Sequence, residues 1–130
     1  METIFSKIIK GTLPSFKVAE TKDFLAFLDI NPNSIGHTLC IPKKGVDKLF
    51  NLSEEDYVKL MVFSRKVALA IEKTVDCNRV GISVVGLEIA HAHIHLIPIN
   101  SITDMTFTKK VNVENSKMEK LAKQIAANFN

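Results

Sequence analysis

The chain has 130 residues, 46% of them hydrophobic and 24% charged, which excludes disorder and collagen-like repetition and suits one domain over residues 1–130 that buries roughly two thirds of its unfolded surface. That length also excludes a multidomain enzyme with separate cofactor and substrate units, leaving a compact enzyme, a binding module or an oligomerising unit. Seventeen Lys and Arg against fourteen Asp and Glu give a net charge of +3, too small a balance to indicate a polyanionic partner by itself.

Met1-Glu2-Thr3 leads without a signal-peptide pattern into Ile4, Phe5, Ile8 and Ile9, whose spacing predicts a short helix over residues 3–10 that Gly11 and Pro14 end. Residues 16–20 and 24–29 predict two strands around the turn Thr21-Lys22-Asp23. Asn31-Pro32-Asn33-Ser34-Ile35-Gly36 is a turn cluster, after which His37 to Ile41 is extended and closed by Pro42. Ser53 before Glu54-Glu55-Asp56 predicts a helix start, with acids where the helix dipole favours them. Tyr57, Leu60, Met61, Ser64, Ala68 and Ile71 mark its core face as far as about Val75. Residues 79–85 and 91–99 predict the last two strands, and Asn100 to Asn115 a long loop. Ser116-Lys117-Met118-Glu119 reads as a capping box, with Met118, Leu121 and Ile125 as the apolar side of a final helix.

Short turns between neighbouring strands predict an α+β fold, an antiparallel meander of about five strands with one long helix and short terminal helices. Lysines at 43, 44, 109, 110, 117, 120 and 123 are spread along the chain with no Trp and one Tyr between them, so they read as solvated faces and nucleic acid is not an expected partner. Cys40 and Cys77 show no Cys-x-x-Cys spacing, and no apolar run approaches the roughly 18 residues of a membrane span. A cytoplasmic protein with reduced thiols and no membrane partner is expected.

The chemistry concentrates in His91-Ala92-His93-Ile94-His95-Leu96-Ile97-Pro98. On a strand, alternation places the three imidazoles on one face and Ala92, Ile94 and Leu96 on the other. The apolar face then packs on helices while the histidine face opens to a cleft. Adjacent imidazoles cannot all be cationic, so mixed protonation is expected: a neutral nucleophilic ring beside protonated phosphate-binding ones. The nucleophilic ring needs its other nitrogen fixed, which a backbone carbonyl can do. Attack at phosphorus suits this combination. Histidines at i and i+2 can also share a zinc ion with an open water position. Satisfied polar residues in a half-buried strand are the remaining alternative, which the strict alternation of three disfavours.

This run resembles the signature of the histidine triad (HIT) family. The similarity extends to Thr3–Gly11, the family's N-terminal helix, to Phe24–Pro32, its nucleoside-binding strand, and to Gly36–Lys44, which contains its fourth active-site histidine. The resemblance implies that His93 attacks the α-phosphorus of a nucleotide to give a nucleotidyl-histidine that water cleaves. It implies that His91, His95 and His37 orient that ring, bind phosphate and help protonate the leaving group. Asp29 would hold the ribose hydroxyls, and Phe27, Leu28 and Ile30 the base. Ordinary core is the lesser alternative for Phe27 and Ile30, and a turn or cap the lesser alternative for Asp29 before Ile30-Asn31-Pro32.

Family members often carry Asn and then Gly-Gln-Ser or Gly-Gln-Thr before the triad. Gly86-Leu87-Glu88-Ile89-Ala90 stands here, so Glu88 is a like-charged group facing the anionic nucleotide, which either pairs with a protonated histidine or swings outward. Thr3 and Ser6 occupy the positions of a Cys-x-x-Cys that binds structural zinc in some relatives. No metal and no organic cofactor are therefore expected. The implied activity is a phosphoramidase-like nucleotide hydrolase or transferase of the Hint-like branch, acting on a nucleoside phosphoramidate, acyl-nucleotide or dinucleoside polyphosphate. A homodimer is implied as well, with residues 116–130 influencing the neighbouring site. A nucleotide-binding module with little catalysis and a metal-dependent hydrolase are the alternatives.

Overall fold

The computed structural model describes residues 2–130. Helix α1 (Ile4–Lys10) begins at Thr3, whose side chain accepts from the Ser6 amide while the Ser6 hydroxyl returns the bond, and ends at Gly11 in the left-handed region. Strands β1 (Lys17–Glu20), β2 (Phe24–Leu28) and β3 (Thr38–Pro42) follow, then α2 (Glu54–Thr74), β4 (Arg79–Ser83), β5 (Ile94–Ile99) and α3 (Asn115–Ala127). The expected antiparallel α+β architecture is present, with five strands in the order β1-β2-β3-β5-β4. The meander runs through β1, β2 and β3. Helix α2 then carries the chain past the position of β5 to the far edge, as a crossover between the parallel strands β3 and β4 requires.

Period-two alternation assigns the two faces of the sheet. Phe24, Ala26, Leu28, Cys40, Ile94 and Leu96 point to one side, where they pack with Leu60, Phe63, Val67 and Ile71 of α2 and Met118, Ala122 and Ile125 of α3. Leu25, Phe27, Leu39 and Ile41 point to the other, onto Phe5 and Ile8 of α1. The buried stripe of α2 is Leu60, Phe63, Ser64, Val67, Ala70 and Ile71, slightly rotated from the expected face. Tyr57, Met61 and Ala68 are its half-buried flank. Each large side chain so buried contributes about 1.5–3 kcal/mol.

Three expected elements differ. Residues 91–93 precede the last strand, because His91 and His93 use side-chain and carbonyl groups for local bonds instead of a ladder. The expected capping box at Ser116–Glu119 does not form. Helix α3 begins one residue earlier, behind Glu114, whose side chain makes no capping bond. A capping box does form inside the supposed loop, where Ser101 and Asp104 enclose the 3-10 turn Ile102–Met105. Cys40 is fully buried, its thiol pushed up to about 12 by desolvation. No helix among the described residues is long and apolar enough to cross a membrane.

Candidate active site

Four buried histidines meet on the α1 side of the sheet. His95 lies on β5 opposite Leu39 of β3. His37 immediately precedes β3, placed by Gly36 at φ 99, where an added Cβ would lie 2.9 Å from Val75. His91 and His93 approach β5 from its N-terminal side. All four are under 9% exposed.

The hydrogen bonds fix the tautomer of each ring. The Asn33 amide donates to His37 Nδ1 at 3.0 Å, so that nitrogen carries a lone pair and the proton sits on Nε2. His37 Nε2 lies 2.9 Å from His95 Nδ1, which must accept. His95 therefore keeps its proton on Nε2. His93 Nδ1 lies 2.7 Å from the His91 carbonyl and donates to it, leaving the lone pair on Nε2. His91 Nε2 donates to the Pro42 carbonyl at 2.7 Å. The carbonyl expected to hold the central ring is thus that of His91.

Burial disfavours the protonated form of three of the four rings. Desolvation, reinforced by neighbouring positive charge, pulls His37 down to about 3 and His95 to about 4, and desolvation lowers His91 too. His37 Nε2 is also 3.6 Å from Asp29 Oδ2, but a ring whose Nδ1 accepts an amide proton is uncharged, so this contact is not an ion pair.

A cleft of about 1010 Å³ opens beside these rings. His93 and His95 line it, whereas His37 and His91 stand behind them. Phe5 of α1 packs edge-on at 5.0 Å from His93 and 5.5 Å from Phe27. Phe27, Leu28, Asp29 and Ile30 line the same cleft, so the nucleoside residues expected from sequence share it with the histidines. Phe27 and Leu28 are buried there, while Ile30 is 81% exposed and belongs to no core. Asp29 Oδ1 caps a turn by accepting from the Asn31 amide, and burial raises its carboxyl above the ordinary range. Glu88 lines the rim, is exposed, and forms no ion pair with a histidine among the described residues. Thr3 and Ser6 serve as the cap of α1.

Three further residues complete the site without a local signal in the sequence. Asn33, read only as part of a turn, is 3% exposed and holds His37. Phe107 lies edge-on to His95 at 4.9 Å. Lys110 is not simply solvated: its ammonium bonds Asn33 Oδ1 at 2.7 Å and lies 5.0 Å from the Phe107 ring centre.

For a metal, the structure offers Asp29, His37 and His95, each with one ligand atom within 4.8 Å of the others. Alternating triad histidines, the pair expected to share zinc, do not converge in this way, because His91 and His93 spend nitrogens on backbone carbonyls. Tetrahedral zinc at 2.0–2.1 Å spaces its donors by roughly 3.3 Å, so a metal would have to part the His37–His95 bond. As it stands, the arrangement is a hydrogen-bond relay beside an imidazole, His93, held at Nδ1 by the His91 carbonyl.

Residues 10–102 match the HIT domain family. An uncharacterised HIT-like protein of Borreliella burgdorferi is 35% identical, with 98% of this chain and 99% of that protein covered. The adenosine 5'-monophosphoramidase HNT1 of Saccharomyces cerevisiae is 41% identical over 73% of this chain, which spans 61% of the yeast protein. The solved structure of a Hit-like protein involved in cell-cycle regulation from Bartonella henselae superposes with a TM-score of 0.84 at 30% identity, covering 96% of this chain and 94% of that one. With residues 10–102 matched to the HIT domain and relatives of 35–41% identity, this chain belongs to the HIT family, whose members are nucleotide-binding hydrolases.

Proposed function

We propose that this protein hydrolyses or transfers nucleotides at the α-phosphate, with a nucleoside phosphoramidate as the preferred substrate class, through a covalent intermediate on His93. The observation that carries the reading is the His93 Nδ1–His91 carbonyl bond, which leaves Nε2 of a buried ring as the lone pair beside the cleft. Nε2 attacks phosphorus, a P–N bond forms, and the bond to the leaving amine breaks as that amine takes up a proton. Water then cleaves the P–N bond and releases the nucleoside monophosphate. His95 Nε2–H donates to a phosphoryl oxygen, and His37 acts through His95 as a positioning residue. Asp29 accepts from the ribose hydroxyls, and Phe27, Leu28 and Ile30 flank the base. Glu88, at the rim, disfavours a polyphosphate leaving group and suits an amine or aminoacyl one. The 41% identity to the budding-yeast phosphoramidase supports this substrate class.

Incubation with adenosine 5'-monophosphoramidate and a dinucleoside polyphosphate, with and without chelator, tests the reading. A mass increase of one nucleotidyl group on His93 is expected, unaffected by chelator. His93→Ala should lose that adduct and, since nucleophile loss removes the main route, on the order of 10³-fold or more in turnover. Unchanged turnover in His93→Ala sinks the assignment. Tight nucleotide binding without turnover would favour the binding-module reading, for which the Leu87-Glu88 segment is the motive. Chelator-sensitive turnover would favour a metal at Asp29, His37 and His95.

The same proposal includes a homodimer. Its support is the exposed apolar surface along one sheet edge, with Ile82 at 51%, Val84 at 43% and Val85 at 50% exposure.

A further inference from the structure

We propose that Lys110 supplies the positive charge that compensates the transferred phosphoryl group, held at the histidines by a strap of residues 104–111 anchored on Asn33. This inference rests on the phosphoryl-transfer reading and adds to it a charged group outside the triad.

The histidines do not provide that charge. His37 Nδ1 accepts the Asn33 amide and His95 Nδ1 accepts from His37, so both rings are neutral while these bonds persist. His93 attacks only as a neutral ring. Yet negative charge on the equatorial phosphoryl oxygens is what such a site must offset, and fixed positive groups do so best. Among the described residues lining the cleft, the charged side chains apart from histidine are Asp29, Glu88 and Lys110. Two are anions, so Lys110 is the one standing cation.

Its position is built. An exposed lysine ordinarily samples many rotamers, but Lys110 Nζ donates to Asn33 Oδ1 at 2.7 Å and sits 5.0 Å from the Phe107 ring centre. Asn33 is 3% exposed and also donates from Nδ2 to the Asp104 carbonyl at 2.9 Å. Beyond Lys110, the Val111 amide donates to the Pro32 carbonyl at 3.0 Å. One buried amide side chain thus ties together the strap, the ammonium and the His37–His95 relay.

Phe107 supplies an independent sign of constraint. It adopts φ 60, the left-handed region that a bulky residue enters only at a cost. What holds it there are the histidines: its ring packs edge-on to His95 at 4.9 Å and to His37 at 6.1 Å. The ammonium is near enough to depress proton binding by His37 and His95 and to favour the Asp29 carboxylate. Of its three protons Asn33 takes one, leaving two for phosphate oxygens. Lys110 stays protonated throughout, so bond making at His93 and bond breaking at the leaving group proceed as written above.

The test compares the parent with Lys110→Met, which keeps the stem over Phe107 but removes the charge, and with Lys110→Arg. Readouts are kcat/KM on adenosine 5'-monophosphoramidate and the Kd values of AMP and of adenosine. Lys110→Met should lose about 10- to 100-fold in kcat/KM, the range for removing one charge-stabilising group, and should bind AMP more weakly. Adenosine, which lacks phosphate, should bind as before, and Lys110→Arg should recover most of the loss. The inference is overturned if Lys110→Met matches the parent in kcat/KM and AMP affinity. Equal weakening toward AMP and adenosine also overturns it, since that would mark a merely structural role. If the parent itself leaves the phosphoramidate intact, the enzymatic reading fails, while the AMP-against-adenosine comparison still decides the role of Lys110.

Discussion

Four imidazoles within reach of one another would repel if protonated, and burial removes the water that would stabilise their charge. The chain instead holds two of them, His37 and His95, neutral through bonds in which each ring accepts a proton at Nδ1, and this couples the site to acid stability. His37 is depressed to about 3 and His95 to about 4, from an ordinary value near 6.5. Between those limits the unfolded chain binds protons that the folded chain refuses. Stability is therefore full above about pH 6.5 and falls as pH drops toward 4, by roughly 1.4 kcal/mol per pH step for each ring. Urea midpoints should fall steeply from about pH 7 to about pH 4.5, and His95→Gln should flatten the slope; midpoints that do not move with pH would contradict the neutral relay. Asn33→Ala should cost about 2–4 kcal/mol in the same assay, because it strands the ammonium and a strap carbonyl that the amide now satisfies. The triad was legible in sequence because alternation is a local property. Asn33 and Lys110 were not, because their bond joins residues 77 apart and neither has a pattern of its own.

Helix α1 is only seven residues long, too short to persist alone in water, and is held by burying Phe5 and Ile8 against Leu25, Phe27, Leu39 and Ile41. The same burial sets the cleft wall, since Phe5 lies 5.0 Å from His93 and 6.0 Å from His91. Phe5→Ala should cost about 3–5 kcal/mol and also reduce turnover at temperatures where the fold persists. Circular dichroism against denaturant, paired with kinetics on the folded variant, separates the two effects; full activity would show that α1 serves stability alone. Helical spacing made α1 readable, and Ser53 did the same for α2, whose N-cap it is. At α3 the local rule failed. The Ser116–Glu119 pattern lost to the chain's path out of the strap, which starts the helix at Asn115. The true cap signal of that region, Ser101 with Asp104, lay in a stretch whose lack of periodicity suggested only loop.

The two edges of the sheet differ in how they meet solvent. On β1 the exposed ends are Lys17 and Glu20, bonded to each other at 3.0 Å, with Lys43 also on Glu20 at 2.9 Å. Charges of this kind blunt an edge against pairing. On β4 the exposed residues are Arg79 at the strand's start and Ile82, followed by Val84 and Val85. Helix α2, which packs beside that edge, adds Val58, Val62 and Leu69 at 50%, 51% and 41% exposure. Their spacing puts them on one stripe, separate from the buried stripe that faces the sheet. A twofold axis that set β4 antiparallel to β4 and α2 against α2 would cover both the apolar residues of this edge and the helix stripe. A second copy of the chain is the occupant this predicts. Sedimentation equilibrium should give twice the chain mass at micromolar concentration. Ile82→Lys with Val62→Glu, both at exposed positions, should give the single mass with the fold intact. In the parent the thermal midpoint should rise with protein concentration, as it must when association stabilises the folded state, and in the double variant it should not. A parent that sediments as a monomer with a concentration-independent midpoint would leave β4 an open edge, and the homodimer would have to be abandoned.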